Sequence, residues 1–220
     1  VAAALREAGR APEDALLLAV SKTWPPQALR EATAYGQRHF GENYLQEALV
    51  KQEALADLDL VWHFIGPLQS NKCRPIAQHF HWVHGVDRLK IAERLALARG
   101  ELGAGVAPLQ VCLQVNVSGE ESKSGVAPDA VFDLARSVAA LPGLRLRGLM
   151  AIPEPTEDRD LLRGRFALLR HLKDQLNGQG FLLDTLSMGM SGDLELAILE
   201  GATIVRVGSA IFGERVRSVA

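Results

Sequence analysis

Ser187-Met188-Gly189-Met190-Ser191-Gly192-Asp193 and, a little further on, Arg206-Val207-Gly208-Ser209 each follow a short apolar run and open a helical pattern. Glycines and hydroxyls therefore sit where unpaired backbone N–H groups collect at a helix N-terminus, which is a natural anion cradle. Two such cradles in succession, near the end of a chain that alternates strand-like and helix-like segments, predict the phosphate site formed in many barrels after strands seven and eight. The candidate ligand is a phosphorylated small molecule. An ordinary N-cap is the other reading, with Ser191 accepting from the backbone and Asp193 complementing the helix dipole. An acidic Asp193 suits a phosphate site only if its carboxylate turns away.

Outward from this stretch the same module recurs. The unbroken apolar run 15–20 has the pattern of a strand buried on both faces. Further strands are predicted at 38–41, 61–66, 80–85, 109–117, 144–150, 182–188 and 203–208. A helix introduced by Pro25-Pro26 runs to Tyr35, since proline is tolerated in a first turn. Others are predicted at 44–58, 71–78, 87–102, 128–140, 158–177, 192–199 and 209–212. Eight strands, each followed by a helix, are the count of a (β/α)8 barrel, with an open doubly wound sheet as the alternative. No linker or composition shift divides residues 1–220, so a single α/β domain is expected.

With 220 residues, 48% of them hydrophobic, the chain can bury a sizeable core. Basic and acidic residues number 24 and 26, spread without blocks, for a net charge of −2. Neither nucleic acid nor an anionic membrane is an expected partner. No apolar run approaches the roughly 18 residues needed to span a bilayer. The N-terminal Arg6, Glu7 and Arg10 are unlike a secretory signal. A cytoplasmic location is expected, and the lone Cys73 and Cys112 fit a reducing compartment. The first residue is valine rather than methionine, so some preceding sequence is expected as well.

In a parallel barrel the C-terminal ends of the strands face the active end. There the sequence places Ser21-Lys22, Glu42-Asn43, His63, His84, Asp87, Asn116, Met150, Ser187, Ser191, Arg206 and Ser209. Lys22 follows the most apolar run, where a desolvated amine serves as a nucleophile toward an aldehyde. It is otherwise a solvated lysine closing a strand. Arg206 lies inside an apolar strand and needs either a ligand or an ion pair, with a carboxylate such as Glu200. Period-two alternation puts His79 and His81 on one face and His84 on the other, and no carboxylate or cysteine completes a set, so no metal is expected. Lys123 sits in a polar loop, as a solvated residue or one reaching a ligand anion.

These residues carry a resemblance. Ala19-Val20-Ser21-Lys22, Phe40-Gly41-Glu42-Asn43-Tyr44, His63-Phe64-Ile65-Gly66 and Leu68-Gln69-Ser70-Asn71-Lys72 begin a series of ordered blocks. Gln114 to Val117, Ser122-Lys123-Ser124-Gly125, Gly148-Leu149-Met150 and Ser187 to Ser191 continue it, and Arg206 to Gly213 closes it. The chain resembles, over essentially its whole length, the pyridoxal 5′-phosphate (PLP) homeostasis proteins, the YggS/PROSC-type PLP-binding proteins. The resemblance implies the N-terminal barrel of alanine racemase, with Lys22 forming the aldimine with PLP. Ser191, Gly192, Gly208 and Ser209 would hold its phosphate, Arg206 would face the pyridine nitrogen, and Asn43 and Met150 would line the ring. Lys72 and Lys123 match family lysines implied in loading or release. Gly85 replaces an expected serine, and Ser209 stands where relatives often have threonine.

The resemblance further implies a buffer or carrier that delivers PLP to apo-enzymes rather than a catalyst. The racemase takes a second base, a tyrosine, from a partner subunit and adds a C-terminal domain. Here the tyrosines are Tyr35 and Tyr44, and the sequence ends soon after the eighth strand, so a monomer without a dedicated amino-acid reaction is expected. A small PLP-dependent racemase is the alternative function, and a phosphate-sugar barrel enzyme a third.

Overall fold

In the computed structural model the apolar run Leu16–Val20 becomes a strand, β1, with a parallel partner on each side. On one side lies β2 (His39–Glu42), and on the other β8 (Ile204–Val207), with Leu16 in register with Ile204 and Ala19 with Val207. The intervening strands are β3 (Val61–Phe64), β4 (Trp82–Val86), β5 (Leu109–Gln114), β6 (Leu144–Met150) and β7 (Thr185–Met190). Each pairs with the next, so the sheet is a closed barrel in chain order, not an open sheet. The structure describes residues 1–119 and 124–213; Ser122 and Lys123 lie outside them.

The helices are α1 (Ala2–Glu7), α2 (Pro26–Ala34), α3 (Leu45–Ala54), α4 (Cys73–His79), α5 (Leu89–Gly100), α6 (Val131–Ala139), α7 (Arg159–Gly178), α8 (Leu194–Leu199) and α9 (Ser209–Phe212). Their starts are legible chemically. Pro26 opens α2, and the Asp158 carboxylate accepts from the N–H groups of Asp160 and Leu161 at 3.0 Å to cap α7. Such a cap stabilises by about 1 kcal/mol. In α6 the apolar Val131, Leu134, Ala135 and Val138 fall on one buried stripe, the helical spacing that a core-facing surface requires.

Most element bounds differ from the sequence expectation by a few residues, the largest shift being α3, which ends at Ala54 rather than at 58; two of the differences have a visible cause. Leu182 is apolar but 92% exposed, because the Asn177 side chain holds both the N–H and the carbonyl of Leu183 in a loop. Strand β7 starts only at Thr185 and runs on to Met190. Strand β5 ends at Gln114 because Asn116 turns its N–H to the Val126 carbonyl, leaving the ladder.

The core lies between strands and helices. Trp62 and Phe64 of β3, Val83 of β4, Leu186 and Met188 of β7, and Val205 and Val207 of β8 join it. Strand residues alternate faces, so His63, Ser187 and Arg206 point the other way, into the barrel. His84, next to Val83, does the same. All four are at most 4% exposed. A polar line of side chains within the barrel, beside aliphatic ones such as Leu18, Met150 and Ile204, is the feature that the site uses.

Glycine supplies a paired test of this packing. A Cβ at Gly148 would stand 1.8 Å from the Thr185 carbonyl oxygen in the adjoining strand, whereas one at Gly164, on the exposed side of α7, meets nothing within 4 Å. Urea unfolding should show Gly148→Ala destabilised by at least about 2 kcal/mol, from forced strand displacement. Gly164→Ala should instead be stabilised by up to about 1 kcal/mol through helix propensity.

Candidate functional site

At the C-terminal end of the barrel, a cavity of about 590 Å³ is bordered by Lys22, Asn43, Ser191, Arg206, Gly208 and Ser209, with Gly192 beside Ser191. Lys22 follows β1 directly. The backbone beneath it is pinned twice: Ser21 donates its N–H to the Gly41 carbonyl at 3.0 Å, and the Lys51 ammonium donates to the Ser21 carbonyl at 2.7 Å. Lys51 is itself buried and donates to Glu42 Oε1 at 2.8 Å, where the Ser21 hydroxyl also donates, at 2.6 Å. Glu47 completes the group, accepting from Lys51 and from the Thr23 N–H. Thr23 has φ of 71°, a left-handed conformation that a β-branched residue adopts only when its surroundings impose it. The chain therefore turns sharply just after Lys22. Burial raises the Glu42 carboxyl above its usual range, against the lowering pull of Lys51 and Ser21.

The opposite wall is the pair of turns quoted at the outset. Gly189 takes φ of 91°, and a Cβ there would stand 2.6 Å from that of Ala197. Glycine is required by both the turn and the close approach of α8. The Asp193 carboxylate accepts from the Met190 N–H, so it is engaged with backbone. Asp193, not Ser191, is the N-cap of α8. Ser191 instead faces Ser209, hydroxyl to hydroxyl at 3.5 Å, which joins the two turns. Trp24 stacks on Phe212 at 5.7 Å, tying the loop after Lys22 to α9.

Arg206 forms the floor. Its guanidinium donates to the Ser187 carbonyl at 2.6 Å, the Ser187 hydroxyl at 2.8 Å and the Ala151 carbonyl at 2.8 Å. Burial lowers its pKa to about 10, with Asp193 acting in the opposite direction. The expected ion pair with Glu200 is not formed. Glu200 accepts from Arg163 at 2.6 Å and Arg170 at 2.9 Å outside the barrel, because it closes helix α8 in the outer layer while Arg206 points inward from β8.

Asn43 reaches the cavity with its side-chain oxygen buried and without a hydrogen-bond partner among the described residues. Met150 is 1% exposed at the end of β6 and does not border the cavity, whereas Ile65, Ile152 and Met190 do. Lys72 ends a short 3-10 turn away from it. Lys123 is outside the described residues. His63, His84 and Ser187 lie below the mouth rather than at it. Among the described residues, no group of three or more His, Cys, Asp or Glu is arranged to hold a metal ion, and no helix is long and apolar enough to cross a membrane. Of the support under Lys22, the sequence places Glu42 at the active end beside Asn43 but does not single out Glu47 or Lys51, for which the spacing 42–47–51 is the one available signal.

The sequence of this chain matches the family model of the alanine racemase N-terminal domain over residues 2–216. It is 64% identical over 219 residues to the pyridoxal phosphate homeostasis protein of Pseudomonas aeruginosa, covering 98% of this chain and 93% of that one. The pyridoxal phosphate homeostasis protein of Escherichia coli is 49% identical over 221 residues, covering 98% and 92%. Among solved structures, PipY of Synechococcus elongatus with PLP bound superposes with a TM-score of 0.86 at 42% identity, covering 96% of this chain and 99% of that one.

Burial of the interior histidines gives a pH signature. Desolvation pushes His63 well below its ordinary value and His84 to about 3, Arg206 adding to the shift of His84. Both are neutral when folded and take up protons when unfolded, so their contribution is complete above the unfolded value near 6.5 and is lost as the pH falls toward the folded one. Chemical denaturation between neutral and mildly acidic pH should show stability falling by up to about 1.4 kcal/mol per pH unit for each histidine, partly offset by Glu42, whose raised pKa acts with the opposite sign.

Proposed function

This chain belongs to the pyridoxal phosphate homeostasis proteins, within the alanine racemase N-terminal domain family, and from that premise we propose that it holds PLP at the barrel mouth and buffers or delivers it. The observation that carries the reading is a single cavity with an amine on one wall, two hydroxyl-bearing turns on the other and a guanidinium below. The fit is chemical as well as spatial. Asn43 offers a buried acceptor with no partner among the described residues, suited to a ring hydroxyl.

When bound, PLP supplies an aldehyde that condenses with amines and a ring that withdraws electrons. Lys22 would hold the cofactor covalently through its amine. The sharp turn at Thr23 and the Lys51–Glu42 pair below fix the lysine backbone, so that only its side chain need move. Ser191, Gly192, Gly208 and Ser209 would hold the phosphate through hydroxyls and amide N–H groups. Arg206 donates only and would leave the ring nitrogen as an acceptor, which weakens the electron withdrawal that carbanion chemistry requires. By the family resemblance the racemase shares this arginine, so it is compatible with storage and does not by itself decide against turnover. Ser191, Gly192 and Ser209 are exposed, so the phosphate end stays within reach of water and of a recipient. We read the carrier as a monomer acting in the cytoplasm, with PLP-dependent apo-enzymes as recipients.

Adding PLP should produce a red-shifted visible band, and borohydride reduction followed by peptide mass spectrometry should place the adduct on Lys22. Lys22→Ala should lose both. A band of undiminished intensity in that variant, or an adduct on another lysine, overturns the assignment. Incubation of the loaded protein with a PLP-dependent apo-enzyme should restore that enzyme's activity, and light scattering should give the mass of one chain. Sustained turnover of an amino acid by the purified protein would replace the carrier reading with a racemase.

A further inference from the structure

The histidines inside the barrel are not separate. His39 Nδ1 lies 3.0 Å from His63 Nε2, His63 Nδ1 lies 2.9 Å from His84 Nε2, and His84 Nδ1 lies 2.7 Å from the Ser187 hydroxyl, which in turn accepts from Arg206. The line starts at the mouth and ends at His39, the first residue of β2 and half-buried at the opposite end of the barrel. We propose that Arg206 polarises this line into one directed hydrogen-bond chain, and that Ser187, His84, His63 and His39 are positioning residues that hold the guanidinium in place.

The direction follows from counting donors. A guanidinium has no acceptor, so Arg206 must donate to Ser187. Among the described contacts, the hydrogen of the Ser187 hydroxyl has His84 Nδ1 as its acceptor. His84 then carries its hydrogen on Nε2 and donates to His63 Nδ1. His63 does the same toward His39 Nδ1. Reversing the chain would make His84 a donor to Ser187 and strand the serine hydrogen in a buried site, at the cost of an unpaired polar group. The Arg206 charge reinforces the choice, since each imidazole then turns its lone pair toward the cation and its N–H away. The charged or titratable groups nearest the line are Arg206 at the mouth and His81 beside His39 and His63. Trp82 covers one face of His63, with 5.4 Å between centroids and 11° between planes. Burial keeps the three imidazoles neutral, as the chain requires.

The role of the chain rests on the reading of the mouth as a PLP site; its existence does not. In cofactor-free protein labelled with 15N-histidine, NMR at neutral pH should show His39, His63 and His84 neutral with the hydrogen on Nε2. An Nδ1–H tautomer or an imidazolium at His63 or His84 overturns the chain. Ser187→Ala and His84→Leu should each weaken PLP binding about tenfold, the scale of one hydrogen bond to a charged group, and should shift the visible band. His84→Gln, whose amide accepts from Ser187 and donates to His63, should recover most of that affinity and the parent band. Wild-type affinity and an unshifted band in Ser187→Ala and His84→Leu overturn the positioning role. Parent protein that takes up no PLP overturns the reading of the mouth and the role together, and leaves the tautomers to decide whether the directed chain exists.

Discussion

A full positive charge inside a closed barrel has to be solvated by the protein itself, and the Arg206 guanidinium is that charge. Its partners are carbonyls from two other strand segments, Ser187 in the middle of β7 and Ala151 just beyond β6, together with the Ser187 hydroxyl. Taking such a group out of water costs several kcal/mol unless every donor is matched. The register of three adjacent strands is therefore constrained by one side chain. Shifting β8 by one residue would turn Arg206 into the apolar shell and Val205 or Val207 into the polar interior. The same demand accounts for Ser187 beside Arg206 in an interior that also holds the aliphatic Leu18, Met150 and Ile204 on the same face.

The lysine side of the mouth is built on a different principle. Its charges are paired off within a small cluster: Lys51 is nearly fully enclosed and donates to two carboxylates and a carbonyl. Replacing that ammonium by an apolar group would leave Glu42 buried with neither oxygen paired to a cation, since its Oε2 already lacks a partner among the described residues. The cluster makes no contact with the cavity. It defines where the backbone stops being strand and where the next residue projects. One wall of the site is thus set by ion pairing below the chain, the other by glycine conformations at Gly189 and by paired hydroxyls.

Much of this was legible in the order of residues. Apolar runs such as 15–20 signal strands enclosed on both faces, and Pro26 and Asp158 mark helix starts, because these depend on neighbours only a few positions away. Lys22, Asn43, Ser191, Gly192, Gly208 and Ser209 border one cavity because a parallel barrel brings the ends of its strands together. Relations between distant strands were not legible. Nothing local distinguishes Glu200, which faces outward to Arg163 and Arg170, from a partner of Arg206. His63 and His84 read as mouth residues because the number of residues by which each strand extends past its neighbour is a property of the closed sheet. Leu182 had the composition of a strand, but Asn177 holds the adjoining backbone in a loop.

The pairing of β1 with β8 makes the first strand and the last neighbours, with Leu18 beside Arg206. The Lys22 amine and the turns bearing Ser191 and Ser209 come from segments far apart in the sequence, and that seam brings them face to face. During synthesis, Lys22 emerges long before Ser191 and Ser209 exist to face it. Long-range closure of this sort is slow and cooperative. The cavity therefore has both of its walls only once β8 has paired with β1, so its existence depends on the last step of barrel closure.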